Sequence, residues 1–317
     1  MATDQNQNQK RNTNSRAADG GCAPGCCDTT SEQTTGSKAT TSVGGASANT
    51  IRDGVRAQYA KVARGTGGCC GPAGFSADSA KRVSRGIGYS DEQLDEVVEG
   101  ANLGVGCGNP TAIANLSSGQ VVVDLGSGAG LDALLAAKQV GPNGRVIGID
   151  MTPEMLERAR TNAVQAGHAR NVEFREGVIE ELPVASASVD VIISNCVINL
   201  SPEKDRVFRE AYRVLRSGGK LVVSDILLSK PLPKVIADHA GAYAACVGGA
   251  VMADEYLQAL RDAGFDNIEM SKRSAEGLMA ATLDLPDIRK LAAALPANVL
   301  EDAMKSLWSY DIKAHKA

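Results

Sequence analysis

The chain has eight cysteines but only three histidines, His168, His239 and His315. So few imidazoles make a His-rich metal site or a Ser-His-Asp hydrolase a poor first expectation, and attention moves to sulfur. Cys22, Cys26 and Cys27 stand within one short stretch. Cys69, Cys70 and Cys107 lie among glycines, and Cys196 and Cys246 occur singly. Three closely spaced thiols can chelate a soft ion, but a flexible tail with unpaired thiols is the plainer reading of Cys22, Cys26 and Cys27. Thiols in glycine-rich loops are rarely core; they bind soft ions and exchange disulfides. Cys246 precedes the pair Gly248-Gly249, read as a flexible loop. No Cys-x-x-Cys pair occurs, so neither a zinc ribbon nor a tightly bound metal is expected.

A second constellation is Val121-Val-Val-Asp124-Leu-Gly126-Ser127-Gly128-Ala-Gly130. An apolar run ends in glycines that let a backbone turn tightly and approach a ligand. Asp150 follows twenty residues after Gly130, where a carboxylate can accept hydrogen bonds from ribose hydroxyls. The spacing is Gly-x-Gly-x-Gly rather than the dinucleotide Gly-x-Gly-x-x-Gly. Asp124, just before it, would repel a pyrophosphate and suits an ammonium group. An adenosine joined to a cationic amino acid fits better than NAD, and S-adenosylmethionine is that ligand.

These residues need a scaffold, and the text from 120 onward reads as one. Strands are expected at 121–125, 146–149, 171–175, 189–194 and 220–226. Helices are expected at 131–140, from Pro153 to about 166, and from Ser201-Pro202 to Gly218-Gly219. This alternation predicts a doubly wound, mostly parallel α/β sheet. Ligands of such sheets sit at the carboxyl ends of the strands, where the Gly126 loop, Asp150, Cys196 and Asp225 share one rim. Before it, helices are expected at 51–63 and near 90–98, the latter capped by Ser90. After 228, a smaller α+β region follows, with a helix at 253–263, a strand near 267–272 and helices at 287–294 and 297–307. The expected division is a tail at 1–50, a helical and loop segment at 51–118, a cofactor domain at 119–228 and a substrate region at 229–317.

Composition narrows the classes. A chain of 317 residues holds one or two domains with a core that needs no disulfides. Thirty-three basic against 37 acidic residues leave a net charge of −4, which offers no field to hold nucleic acid or an acidic membrane. No apolar run reaches the ~18–20 residues of a membrane span. The opening residues show no apolar secretory core, so a cytoplasmic location with reduced thiols is expected. Residues 1–50 contain no Leu, Ile, Phe, Tyr or Trp and are expected to be disordered.

Together these stretches resemble the arsenite methyltransferases that use S-adenosylmethionine, over roughly residues 51–275. The most specific are Tyr59-Ala-Lys-Val, Gly68-Cys69-Cys70-Gly71, Gly106-Cys107-Gly-Asn-Pro110, Asp124-Leu-Gly-Ser-Gly128 and Gly148-Ile-Asp-Met-Thr152. With them stand Ser194-Asn-Cys-Val-Ile-Asn-Leu200 and Cys246-Val-Gly-Gly-Ala250, which match the family's arsenic-ligand motifs. The resemblance implies a Rossmann-like methyltransferase fold and a role in arsenic detoxification. It implies four working cysteines: Cys69 or Cys70, Cys107, Cys196 and Cys246. Arsenic as substrate falls to Cys107, Cys196 and Cys246. The expected cofactor contacts are Asp124, Gly126, Ser127, Gly128, Gly130, Asp150, Met151, Ile179, Glu180 and Asn195.

Trivalent arsenic on sulfur keeps a lone pair that attacks a sulfonium methyl directly, so no general base is needed. The family also implies that Cys69 or Cys70 and Cys107 return the electrons lost at arsenic by forming a disulfide, reset by thioredoxin or glutathione. Arsenite and methylarsenite are the expected substrates, and a monomer the expected state. Two other functions share the features: a methyltransferase of a small organic or lipid-derived molecule, and a thiol-based metalloid sensor with a vestigial cofactor fold. The end of the chain after about 275 lies outside the resemblance.

Overall fold

Val121–Leu125 is five apolar or buried residues in a row, and it becomes the central strand β1 of the computed structural model. The structure describes residues 44–65, 77–283 and 285–317. All of them belong to one unit, Thr40–Ala317. The remaining strands are Arg145–Asp150 (β2), Val172–Glu176 (β3), Val189–Asn195 (β4), Leu215–Leu228 (β5), Asp266–Ser274 (β6) and Leu307–His315 (β7). They form one sheet in the order β3-β2-β1-β4-β5-β7-β6. The first five run parallel, and β7 lies antiparallel between β5 and β6. This is the mostly parallel Rossmann-like methyltransferase sheet that the alternation predicts.

The helices preceding β1 are Ala48–Arg64 (α1), Ala77–Gly86 (α2), Asp91–Glu96 (α3) and Pro110–Ile113 (α4). Within the sheet region come Leu131–Val140 (α5), Pro153–Gln165 (α6) and Lys204–Val214 (α7). The last are Lys234–Ala237 (α8), Ala240–Ala244 (α9), Ala253–Asp262 (α10), Glu276–Leu283 (α11), Pro286–Ala294 (α12) and Ala297–Ser306 (α13). Strand side chains alternate between two apolar layers, as a period of two requires. Val123, Leu125, Ile149 and Ile192 face α7 and α10, whereas Val122, Val146, Val191 and Ile193 face α5 and α6. A third apolar cluster gathers α8, α9 and α11 to α13 around Cys107, Cys196 and Cys246.

Several local expectations need correction. Helix α1 begins at Ala48 with Ser47 as its cap, so the boundary at residue 50 falls inside a helix. Helix α7 begins at Lys204, and the Ser201 side chain is engaged elsewhere. It ends at Val214, because Leu215 already pairs with Val189 of β4. Gly218 and Gly219 therefore lie in the start of β5, where Gly218 takes φ +76° and donates its N–H to the Lys316 carbonyl at 2.8 Å. Strand β7, taken together with its pairing to β5, has no counterpart in the expected elements. No helix among the described residues is long and apolar enough to cross a membrane.

Candidate active site

A cleft opens at the carboxyl ends of β1, β2 and β4. Gly126, Gly128, Asp150, Met151, Ile179, Glu180 and Asn195 line it, together with Cys196. Gly128 takes φ +51°, and nothing stands in front of its missing side chain, so a ligand can approach its backbone. Asp150 accepts from the Gly128 N–H at 2.9 Å and the Thr152 N–H at 2.8 Å. A carboxylate has about four acceptor sites, so capacity remains for hydroxyl donors. These features suit a nucleoside-bearing ligand such as S-adenosylmethionine.

The other three residues of that set do not line the cleft. Asp124 is buried beneath the start of α5, and one of its carboxylate oxygens has no partner. Burial, then the charges of Asp132 and Asp150, pushes its carboxyl well above the usual range. Ser127 is buried with an unpartnered hydroxyl, and Gly130 packs against Phe174 and Ala159. Helix α1 forms one wall through Arg52, Val55 and Tyr59. Arg52 donates to Glu180 at 3.0 Å and to Glu203 at 2.9 Å, and Ser201 donates to Glu180 at 2.6 Å. The Glu180 carboxylate is thus held by the chain itself.

Cys107, Cys196 and Cys246 come from a loop before α4, the end of β4 and the end of α9, yet they meet in one buried cluster as free thiols. The Cys246 thiol donates to the Cys196 carbonyl at 2.7 Å. The sulfurs of Cys107 and Cys196 and a carboxylate oxygen of Asp225 lie within 4.8 Å of one another. Burial pushes the Cys107 thiol up to about 12. Cys196 is raised well above its ordinary value by its hydrogen bond with Cys107, with burial adding. Cys246 is raised in the same way by its bond with Cys196, again with burial adding. All three are therefore neutral thiols near pH 7.

The backbone holds two of them under strain. Cys196 takes φ +58° and Cys246 φ +61°, a region that costs a side-chain-bearing residue about 1–3 kcal/mol. A hydrogen bond from Cys196 N–H to Ser224 O at 2.8 Å fixes the first. The second turns on close packing: a side chain on Gly249 would stand 2.0 Å from the Asn199 carbonyl oxygen. The Gly248-Gly249 pair is a tight packing contact rather than the flexible loop expected.

Cys107 is fixed as well, and it is a core residue, where its glycine-rich surroundings predict a loop thiol outside the core. It is 0% exposed. Its N–H donates to Asn195 Oδ1 at 2.9 Å, and its carbonyl accepts from Ser309 Oγ at 2.8 Å and Arg273 at 3.3 Å. On either side, Gly106 and Gly108 leave no room for a side chain, the nearest atoms belonging to Asn195 and Ser224. Asn195 in turn donates to Tyr89 at 2.9 Å and Asp132 at 3.0 Å, joining the cleft to the thiol loop.

Sequence reasoning did not assign Arg52, Tyr89, Asp132, Tyr256, Arg273, Ser309 or a role for Asp225. Tyr89 and Arg273 act on the site from 106 and 166 residues away in sequence, and no local pattern marks them. Tyr256 is a buried hydroxyl without a partner, held protonated first by burial and then by the charge of Asp225. Cys22, Cys26, Cys27, Cys69 and Cys70 lie outside the described residues.

Residues 116–264 match the model of a methyltransferase domain family. The chain is 44% identical over 254 residues to the arsenite methyltransferase of Halobacterium salinarum, covering 77% of this chain and 65% of that protein. It is also 44% identical over 167 residues to the arsenite methyltransferase of Aquipseudomonas alcaligenes, covering 50% of this chain and 47% of that one. The chain thus spans about half to two thirds of the length of these curated relatives. Among solved structures it is similar to an arsenic(III) S-adenosylmethionine methyltransferase from Chlamydomonas reinhardtii, with a TM-score of 0.52 and 32% identity. That match covers 74% of this chain and 72% of that one.

Proposed function

Because the chain belongs to the arsenic(III) S-adenosylmethionine methyltransferases, we propose that it methylates trivalent arsenic held on its own thiols, for arsenic detoxification. One observation carries this reading: Cys196 lines the cleft of Gly126, Gly128 and Asp150 and also touches the buried thiol cluster. The two binding regions therefore share a wall at the rim of β4.

Arsenite and methylarsenite are the substrates. Arsenite exchanges its hydroxyls for sulfur: each thiol proton leaves with a hydroxyl as water, so neutral thiols suffice and no base is required. Cys107, Cys196 and Cys246 supply three soft sulfurs, the donor type and number that trivalent arsenic takes. Backbone strain at Cys196 and Cys246 and the clamp on Cys107 keep those sulfurs in place, so little reorganisation is needed at the moment of reaction. Gly126, Gly128, Asp150, Met151, Ile179 and Asn195 hold the methyl donor, with Asp150 on its ribose hydroxyls. S-Adenosylmethionine, when bound, supplies an electrophilic sulfonium methyl for the arsenic lone pair. The arsenic, formally pentavalent after transfer, regains two electrons as Cys107 pairs with Cys69 or Cys70. Thioredoxin or glutathione then reduces that disulfide.

The test is incubation of the reduced protein with arsenite, S-adenosylmethionine and a thiol, followed by arsenic speciation. Methylated arsenic is the expected product. Tight arsenite binding with no product would instead identify a metalloid sensor.

A further inference from the structure

Beside the thiols stands a group that arsenic does not use. Asp225 is 0% exposed. Its Oδ1 accepts from the Asn199 amide at 2.9 Å and from the Ile226 N–H at 3.0 Å, whereas its Oδ2 is buried without a partner. A buried polar atom left without a partner is destabilising, and a ligand at that oxygen would relieve it. A carboxylate oxygen of this residue lies within 4.8 Å of the sulfurs of both Cys107 and Cys196.

Three sulfurs complete the pyramid of trivalent arsenic, and a hard carboxylate adds nothing to it. Zn²⁺ is different. It is borderline in softness and takes thiolate and carboxylate ligands together in a tetrahedron, with Zn–S about 2.3 Å and Zn–O about 2.0–2.2 Å. Neighbouring donors in such a tetrahedron stand about 3.5–4 Å apart, and the ligand atoms of this trio all lie within 4.8 Å of one another. We infer that Cys107, Cys196 and Asp225 form a mixed thiolate–carboxylate site for Zn²⁺, its fourth position turned toward Cys246, and that Zn²⁺ competes there with arsenite.

Binding is balanced by loss of the two thiol protons, and of the carboxyl proton where present, to the buffer. The complex carries one net negative charge, next to the Lys204 ammonium whose charge already acts on Asp225 and Cys246. The competition rests on the arsenic reading of the pocket; the metal site itself does not.

The experiment titrates the reduced full chain with Zn²⁺ against a chromophoric chelator, and separately with arsenite, comparing wild type with Asp225→Asn. The amide keeps an oxygen for Asn199 and Ile226 and replaces only the free one with a non-ligating NH₂. Expected are a loss of Zn²⁺ affinity of at least about tenfold, unchanged arsenite affinity, and inhibition of wild-type methylation by Zn²⁺ that added arsenite relieves. Equal Zn²⁺ affinity in the two proteins overturns the site, as does a parallel loss of arsenite affinity. Should the variant fail to fold, X-ray absorption of wild-type protein with one equivalent of Zn²⁺ decides. An oxygen shell beside sulfur supports the site, and an all-sulfur shell overturns it. Asp225-dependent Zn²⁺ binding without any methylated product would sink the proposed function and leave the metal site standing. Methylation that is indifferent to Zn²⁺ at concentrations that fill the site would overturn the competition.

Discussion

The three described cysteines owe their character to what surrounds each sulfur. Cys196 and Cys246 sit in left-handed backbone, and serine in their place meets the same strain, so a Cys→Ser change exchanges a soft donor for a hard one with little else altered. Cys196→Ser and Cys246→Ser are each expected to reduce methylation of arsenite and of methylarsenite to background. Cys107→Ser is expected to block arsenite methylation while sparing part of the methylarsenite reaction, which needs only two protein sulfurs. Product speciation for each variant on both substrates checks this. Parent-rate methylation of methylarsenite by the Cys196 variant would return that residue to the apolar core.

Among the elements, the antiparallel pair β6 and β7 sets the position of Cys107. Arg273 of β6 reaches the carbonyls of Cys107 and Ile87 and pairs with Asp311 of β7, which also accepts from Ser224 at 2.6 Å. Ser309 of β7 adds the shorter bond to Cys107. Arg273→Ala removes the charged donors from this arrangement and is expected to cost about 1.5–3 kcal/mol in urea unfolding. It should also free the loop, so that Cys107 is alkylated faster by iodoacetamide under native conditions. An unchanged alkylation rate would show that Asn195 and Ser309 hold the loop without the arginine. A parallel sheet alone would have left this loop unsupported on that side.

Across the whole molecule, four buried carboxyls, Asp124, Asp132, Asp150 and Asp225, collect on one rim of the sheet. Burial raises all four, Asp132 to about 6 and Asp225 to about 7. In the unfolded chain an Asp releases its proton near 3.9. Between about pH 4 and 7 the folded state therefore binds more protons, and stability falls as pH rises through that window, then levels off. For Asp132 and Asp225 the sum is on the order of several kcal/mol. Partly exposed acids such as Glu173, lowered to about 2 by its bonds to Arg175 and Arg145, act the other way, but only below about pH 4. Thermal melts from pH 4.5 to 8 are expected to show a falling Tm, with a shallower slope in Asp225→Asn. A Tm that rises over this range would mean that these acids are solvated in the folded state.

Local information was enough for the strands β1 to β4, the cap at Ser90, the helix start at Pro153 and the glycine loop. Each depends on residues within a few positions of one another: a continuous apolar run, an N-cap, a breaker. From those elements the parallel sheet followed, and with it the rim where Gly126, Asp150 and Cys196 meet. The family resemblance, carried by short motifs, singled out Cys107, Cys196 and Cys246 as the thiols proposed to hold arsenic. What no stretch of text contained were contacts between distant segments. Strand β7 reads as an unremarkable apolar alternation until β5 and β6 pair with it. The glycines at 248 and 249 look flexible until the Asn199 carbonyl is packed against them. Cys107 looks mobile until Asn195, Arg273 and Ser309 close on it. Likewise, Asp225 is one more acidic residue in the chain, and only its burial, with Oδ2 unpartnered and a carboxylate oxygen within 4.8 Å of two sulfurs, makes it the ligand inferred above. Hydrogen bonds, desolvation and steric exclusion act through space over a few ångströms, so their partners are set by the folded path of the chain.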